Sequence, residues 1–261
     1  MIIRKSEREI DKIAAAGSVV AETIAHVGSL IVPGITTGEL DEAAGAFVRA
    51  QGGIPTSQGY GPPGREYPGA ICISPNEVVV HGIPGAYEVS DGDLVTLESS
   101  IADSAYTFGV GAVEPDAQRL MDVAQDALEA GIEQAQVGNR VGDISRAVQT
   151  TVESAGFSVV RSLVGHGVGR YYHEDPHIPN YGEAGRGPRL SEGMTIAIEP
   201  MITAGAAEVV VADDGWTVST VDGSLAAHFE HTVAITPRGP RILTPRVGVP
   251  VRGKAGGGVL G

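Results

Sequence analysis

Shifted by 104 residues against itself, the chain repeats a frame: Gly34 falls on Gly138, Gly38 on Gly142, Leu40 on Ile144, Ala43 on Ala147, Val48 on Val152 and Gly52 on Gly156. In both copies glycines bracket apolar residues at helical spacing, the pattern of a helix entered and left by turns. A true repeat dictates two αβ halves about a pseudo-two-fold axis, with a site between their sheets. Two glycine-flanked helices can also look alike by chance, and the sequence leaves both explanations open.

Local signals extend this frame. Ser6 with Glu9 forms a capping box, and Ile10, Ile13, Ala14, Gly17, Val20, Ala21 and Ile24 follow at helical spacing. Thr36 with Glu39 opens a second helix, through Leu40, Ala43, Ala44, Phe47 and Val48, that stops at Gly52 and Gly53. A third runs through Leu120, Val123, Ala124, Ala127, Leu128 and Ile132, and a fourth starts near Gly142 and stops at Gly156. Between them lie short β-branched or aromatic segments, "AICISPNEVVVHGIP", "DLVTLESS", "DSAYTFGVG", "MTIAIEPMIT" and "HFEHTVAIT". A hairpin turning at Asp213, Asp214 and Gly215 is expected between the last two. The tail after Pro245 is Gly-rich without a core pattern, so residues 246–261 are expected to be mobile or to lie on the surface.

With 18 Lys and Arg against 32 Asp and Glu, the formal charge is −14. That balance argues against a nucleic-acid backbone or an anionic membrane as partner, since both need a basic face. Acidic residues interrupt the apolar N-terminal stretch, so the expected setting is a soluble, cytoplasmic one. The single cysteine, Cys72, cannot form an internal disulfide and reads first as a small buried residue.

A literal HExxH, "HEDPH" at 173–177, contains Pro176, which would break the helix that a zinc protease needs. The glycines of "GHGVG" are expected to permit close backbone approach and leave His166 exposed at a turn. Glu98 and Asp103 fit a hairpin that sets them directly opposite each other, where two carboxylates repel unless a cation lies between. Alternation puts Thr195, Ala197 and Glu199 on one strand face, and His228, Glu230, Thr232 and Ala234 on another. Glutamates in such apolar strands are costly to bury unpaired. Glu98, Asp103, Glu199 and Glu230 with His166 would form a four-carboxylate, one-imidazole cluster whose −4 charge two divalent cations would balance. Oxygen-rich ligation of this kind suits manganese, iron or cobalt, and admits zinc.

The ordered motifs "VVVHGIP", "SAYTFGVG", "GHGVGR", "HEDP", "IAIEPM" and "FEHTVAIT", with "EREIDKIAAAGSVVAETI" before them, resemble the type I methionine aminopeptidases across roughly residues 5–245. The chain looks most like their short bacterial form. The resemblance implies an α+β pita-bread fold, two pseudo-symmetric αβ halves with antiparallel sheets covered by helices, in one catalytic domain over 1–245. It implies removal of N-terminal methionine from peptides or nascent chains by a monomeric enzyme, through a hydroxide bridging two metals. Asp103, His166, Glu199 and Glu230 then match the metal ligands, and Glu98 stands where that family has its first ligand aspartate. His81, His173 and Glu199 match the residues that contact the substrate or move its protons, and Tyr60, Tyr67, Cys72, Tyr172 and Trp216 match the pocket.

The departures fall near the chemistry. Glu98 replaces an aspartate, the hairpin "ESSIAD" is shorter than that family's, "QGYGPPGREYPGAIC" carries a Pro/Gly insertion, and Tyr172 adds a hydroxyl. Three readings follow: a methionine aminopeptidase, a related dimetal enzyme remodelled for another amine, amide or small-molecule substrate, or a binding homologue without catalysis.

Overall fold

A computed structural model describes residues 1–100 and 102–248. Four helices are formed: α1 (Glu7–Gly28), α2 (Thr37–Ala50), α3 (Pro115–Gln134) and α4 (Val141–Ser154). The strands among them are β1 (Cys72–Pro75), β2 (Val78–Val80), β3 (Leu94–Ser99), β4 (Ser104–Gly109), β5 (Ser158–Val159), β6 (Gly165–Gly167), β7 (Glu174–Ile178) and β8 (Thr195–Ile198). The remainder are β9 (Met201–Thr203), β10 (Val209–Val211), β11 (Val218–Thr220), β12 (Ala226–His228), β13 (Glu230–Thr236) and β14 (Gly239–Ile242).

The repeat is structural. α2 and α4 begin and end 104 residues apart, and each is entered from a short antiparallel bridge, Thr36 with Glu88 and Arg140 with Arg189. The N–H of Thr36 donates to Glu39, and that of Arg140 donates to Asp143, so the same carboxylate cap closes both first turns. Gly34 and Gly138 take φ of 93° and 99°, Gly52 and Gly156 φ of 78° and 84°. Side chains other than glycine rarely adopt that left-handed backbone, so the spacing of these glycines is fixed by the turns rather than by coincidence.

The principal sheet runs β1-β3-β4-β13-β8-β6-β7, with β14 paired to β13. Its order is nearly symmetric about the β4–β13 junction, where the two halves meet through Glu230 paired with Ala105. Alternation assigns the faces. Ile196, Ile198, Val233 and Ile235 join the core under α3 and α4, while Val95 and Leu97 join the one formed with Leu40 and Ala44 of α2. The opposite face carries the acids.

Two expected strands are broken, one at its glutamate and the other just before its own. "MTIAIEPMIT" is β8 in the large sheet and β9 in a three-stranded sheet with β12 and β5, the break falling at Glu199 and Pro200. "HFEHTVAIT" divides likewise into β12 and β13 at Phe229. Pro200 has no N–H for a ladder, so a change of sheet is natural there. The hairpin through Asp213–Gly215 forms as expected and joins β2 in a second three-stranded sheet. At the C-terminus Arg246 lies over the rings of Tyr106 and Phe229; residues 249–261 of the expected tail lie outside the described residues. Among the described residues no helix is long and apolar enough to cross a membrane.

Candidate active site

Register alone gathers the acids. Cys72 pairs with Glu98, Glu98 with Ala105, and Ala105 with Glu230, so one row crosses four strands. Continuing the β13–β8 register from His231 opposite Ile198 brings Glu199 to the end of that row. Cross-strand partners share a sheet face, so three glutamates point the same way. The expected direct opposition of Glu98 and Asp103 is not found: Ser99 pairs with Ser104, which leaves Asp103 in the turn, diagonal to Glu98. It keeps the parity of Ala105 and so faces the same cleft.

His166 corrects another expectation. Its imidazole is buried, not exposed, because β6 lies inside the sheet between β7 and β8. The flanking glycines do permit close approach: a Cβ on Gly165 would lie 2.4 Å from the Ala197 carbonyl oxygen, and one on Gly167 2.3 Å from that of Asp175. His166 Nδ1–H donates to the Gly167 carbonyl (2.9 Å), which leaves Nε2 facing Asp103 Oδ2 and Glu199 Oε1, each at 3.6 Å.

One donor atom each from Asp103, His166 and Glu230 lies within 4.8 Å of the others. Glu98 Oε2, Asp103 Oδ1 and Glu230 Oε1 are buried without a hydrogen-bond partner. Unpaired buried carboxylate oxygens are costly, and a divalent cation is the partner that such a donor set fits. Burial, Asp103 and Glu199 hold the Glu98 carboxyl far above its usual range, and burial with Asp103 and its neighbours does the same to Glu230. Burial raises Glu199 to about 8 with His166 working against it and Asp103 adding to it. For His166 burial is overcome by the hydrogen bond and charge of Asp103 and by Glu199, so the imidazole is raised to about 9. In the metal-free protein these groups therefore hold protons that a metal would displace.

An aromatic pocket opens beside the acids. Tyr60, Tyr67, Cys72, Tyr172 and Trp216 line it with Ser57, and His81, Tyr172 and His173 belong to both spaces. Tyr60 stacks on Tyr172 at 4.6 Å between centroids, and Trp216 meets the rings of Tyr67 and His81 edge-on. The indole N–H donates to the Arg65 carbonyl, so the Pro/Gly insertion is used to hold Trp216. Tyr172 Oη is paired with Ser100 Oγ at 2.6 Å, which turns its hydroxyl away from a free role in the pocket.

The "HEDPH" segment forms a strand, not a helix. Its Glu174 is buried against Lys5 at 2.5 Å, and its other oxygen accepts from the N–H groups of Arg170 and Tyr171. This clamp orders the loop that presents Tyr172 and His173. Tyr60 Oη lies 3.0 Å from His173 Nδ1, and burial together with the His166 charge lowers His173 to about 4, so its ring is neutral. Burial also lowers His81, whose φ of 57° is unusual for a side-chain-bearing residue.

One residue was missed. His228 is 1% exposed, with Nδ1 3.9 Å from Glu98 Oε2 and Nε2 3.8 Å from Glu199 Oε2. Its parity with Glu230 was the available signal, since alternation places both on the cleft face.

With this geometry in place, comparisons with known proteins agree on its kind. The sequence model of metallopeptidase family M24 matches residues 11–237. The chain is 48% identical to the methionine aminopeptidase of Clostridium perfringens and 47% identical to methionine aminopeptidase 1 of Bacillus subtilis; each alignment covers 94% of this chain and 99% of the relative. Among solved structures, the Rickettsia prowazekii methionine aminopeptidase superposes with a TM-score of 0.91 at 38% identity, covering 94% of this chain and all of the other. A prolidase from Pyrococcus horikoshii shares the fold at a TM-score of 0.74 and 21% identity, with 94% of this chain and 64% of that one covered.

Proposed function

The chain belongs to metallopeptidase family M24, and from that premise we propose that it is a metal-dependent aminopeptidase removing methionine from the N-termini of peptides and nascent proteins. The observation that carries this reading is a row of buried, partnerless carboxylate oxygens opening directly onto an aromatic pocket. Relatives of nearly full-length similarity bear that activity in their names. We assign the chemistry to one catalytic unit over residues 1–245, acting as a monomer in the cytoplasm.

Glu98, Asp103, His166, Glu199 and Glu230 together would hold two divalent ions, with manganese, iron or cobalt suited to the donors and zinc admissible. The ions, when bound, supply Lewis acidity toward the scissile carbonyl and make a water acidic enough to attack near neutral pH. Glu199 would be the group that accepts a proton from the attacking water and delivers it to the leaving amine. With Tyr60 O–H donating to Nδ1, His173 keeps its proton on Nε2 and offers a neutral donor to the developing oxyanion. His81, at the junction of pocket and cleft, hydrogen-bonds the scissile amide. Tyr60, Tyr67, Cys72, Tyr172 and Trp216 receive the methionine side chain, whose thioether gains from aromatic contact.

Purified protein loaded in turn with manganese, iron and cobalt under reducing conditions, then incubated with Met-Ala-Ser and matched peptides, tests the reading by mass spectrometry. Metal-dependent methionine release, abolished in Asp103→Ala, is the expected result. Metal binding with no release from any peptide would overturn it.

A further inference from the structure

His228 ends β12 where the chain leaves the small sheet for β13, and one hydroxyl holds its backbone on both sides. Its N–H donates to Thr107 Oγ1 at 2.9 Å, and its carbonyl accepts from the same hydroxyl at 2.9 Å. The imidazole cannot reach bulk water at 1% exposure, and neither nitrogen has a hydrogen-bond partner. Both nitrogens nevertheless face carboxylates, Nδ1 toward Glu98 Oε2 at 3.9 Å and Nε2 toward Glu199 Oε2 at 3.8 Å.

A neutral imidazole has one N–H and one lone pair. If Nε2–H is turned to Glu199, Nδ1 aims its lone pair at the carboxylate of Glu98; the other tautomer moves the same conflict to Glu199. In a dry cleft lone pair against ionised carboxylate is repulsive; a proton on the carboxyl relieves this in the metal-free protein, and a cation that displaces the proton takes over the same position. The spacing admits one. Two donors each about 2.1 Å from a shared ion lie about 3.0 Å apart at a right angle and about 3.9 Å apart at a wide one. Glu98 has the reach for this, because its extra methylene, compared with an aspartate, carries the carboxylate toward the ring. Its other oxygen faces His81 Nε2 at 3.9 Å, so Glu98 lies between two imidazoles.

We propose that His228 is a metal ligand: its Nδ1 and the carboxylate of Glu98 share the second divalent ion, while Nε2 is turned toward Glu199 Oε2 at 3.8 Å, on the side away from that ion. This rests on the reading of the cleft as a metal centre. A carboxylate on the far side of a ligating imidazole orients the ring and makes it a stronger ligand.

Cobalt(II) alone is the probe. Full-length protein freed of metal with a chelator is titrated anaerobically and followed by calorimetry and by proton NMR, which resolves the hyperfine-shifted, exchangeable N–H of each ligated imidazole. The first equivalent should yield one such signal, from His166, and the second equivalent another, from His228. In His228→Gln the second signal should vanish and the Kd of the second ion should rise at least tenfold, with the first ion unchanged. Should that variant fail to fold, wild-type protein labelled with 15N-histidine and loaded with 113Cd should show cadmium coupling at two ring nitrogens. Two bound ions with only one ligated imidazole, or an unaltered second Kd in folded His228→Gln, would overturn the assignment while leaving the metal centre intact. No cobalt binding by the wild type would overturn both.

Discussion

The metal-free protein should lose stability steeply as the pH rises above about 6.5, and bound metal should abolish the loss. Glu199 is held at about 8 against an ordinary 4.5, and His166 at about 9 against 6.5. A group whose folded pKa is raised stabilises the fold fully below its unfolded pKa, and that contribution is lost as the pH climbs through the folded value. Both groups therefore lose stability between pH 6.5 and 8, and Glu98 and Glu230, also raised, act in the same direction. Buried His173, His228 and His231 are lowered to about 4, 3 and 3, so they work oppositely, but only below 6.5, and they flatten the curve there. One extra proton on the folded chain is worth about 1.4 kcal/mol per pH unit, so the two valued groups, each partly titrated within the window, alone give up about 3 kcal/mol from pH 6.5 to 8. For a chain of this size that is about 10 °C in Tm. Differential scanning calorimetry of chelator-treated and metal-loaded protein across that range reads it, with Glu199→Gln expected to flatten the metal-free slope. A metal-free Tm that is constant or rises from pH 6.5 to 8, or a gap to the metal-loaded Tm that does not widen, would refute the buried acid cluster as the source.

Three further outcomes are expected. His173→Ala should lower kcat for methionine release by about 10²–10³ while metal content by elemental analysis is unchanged, since a donor to the oxyanion is lost and no ligand is. Lys5→Met strands Glu174 as a buried charge, at a cost of about 3–5 kcal/mol; thermal unfolding should move down by about 10 °C, and peptide turnover should fall as the loop bearing His173 loosens. Gly167→Ala would drive a Cβ to within 2.3 Å of the Asp175 carbonyl oxygen and displace His166; calorimetry should show weakened binding of the first metal, and wild-type affinity would refute the close approach.

The sequence by itself determined the elements whose causes are local. Capping boxes at Ser6 and Thr36 and the glycines at 34, 52, 138 and 156 declare helix ends, because they satisfy or release backbone groups within a few residues. Period-two alternation declared which face Glu199 and Glu230 share with their neighbours. The motifs together named Asp103, His166, Glu199 and Glu230 as a cluster, although 127 residues separate Asp103 from Glu230. What alternation cannot carry is pairing between distant strands. The diagonal of Asp103 to Glu98, the burial of His166 inside the sheet, and the break at Glu199 and Pro200 depend on which strand lies beside which. The placement of His228 between Glu98 and Glu199 arises where β12 and β9 leave the large sheet; Pro200 marks the departure of β9 locally, but no local signal marks that of β12. Hydrogen-bond register and sheet exchange are settled by packing across the whole chain, so they, and the distances that make a cluster of acids into a cleft, belong to the tertiary structure alone.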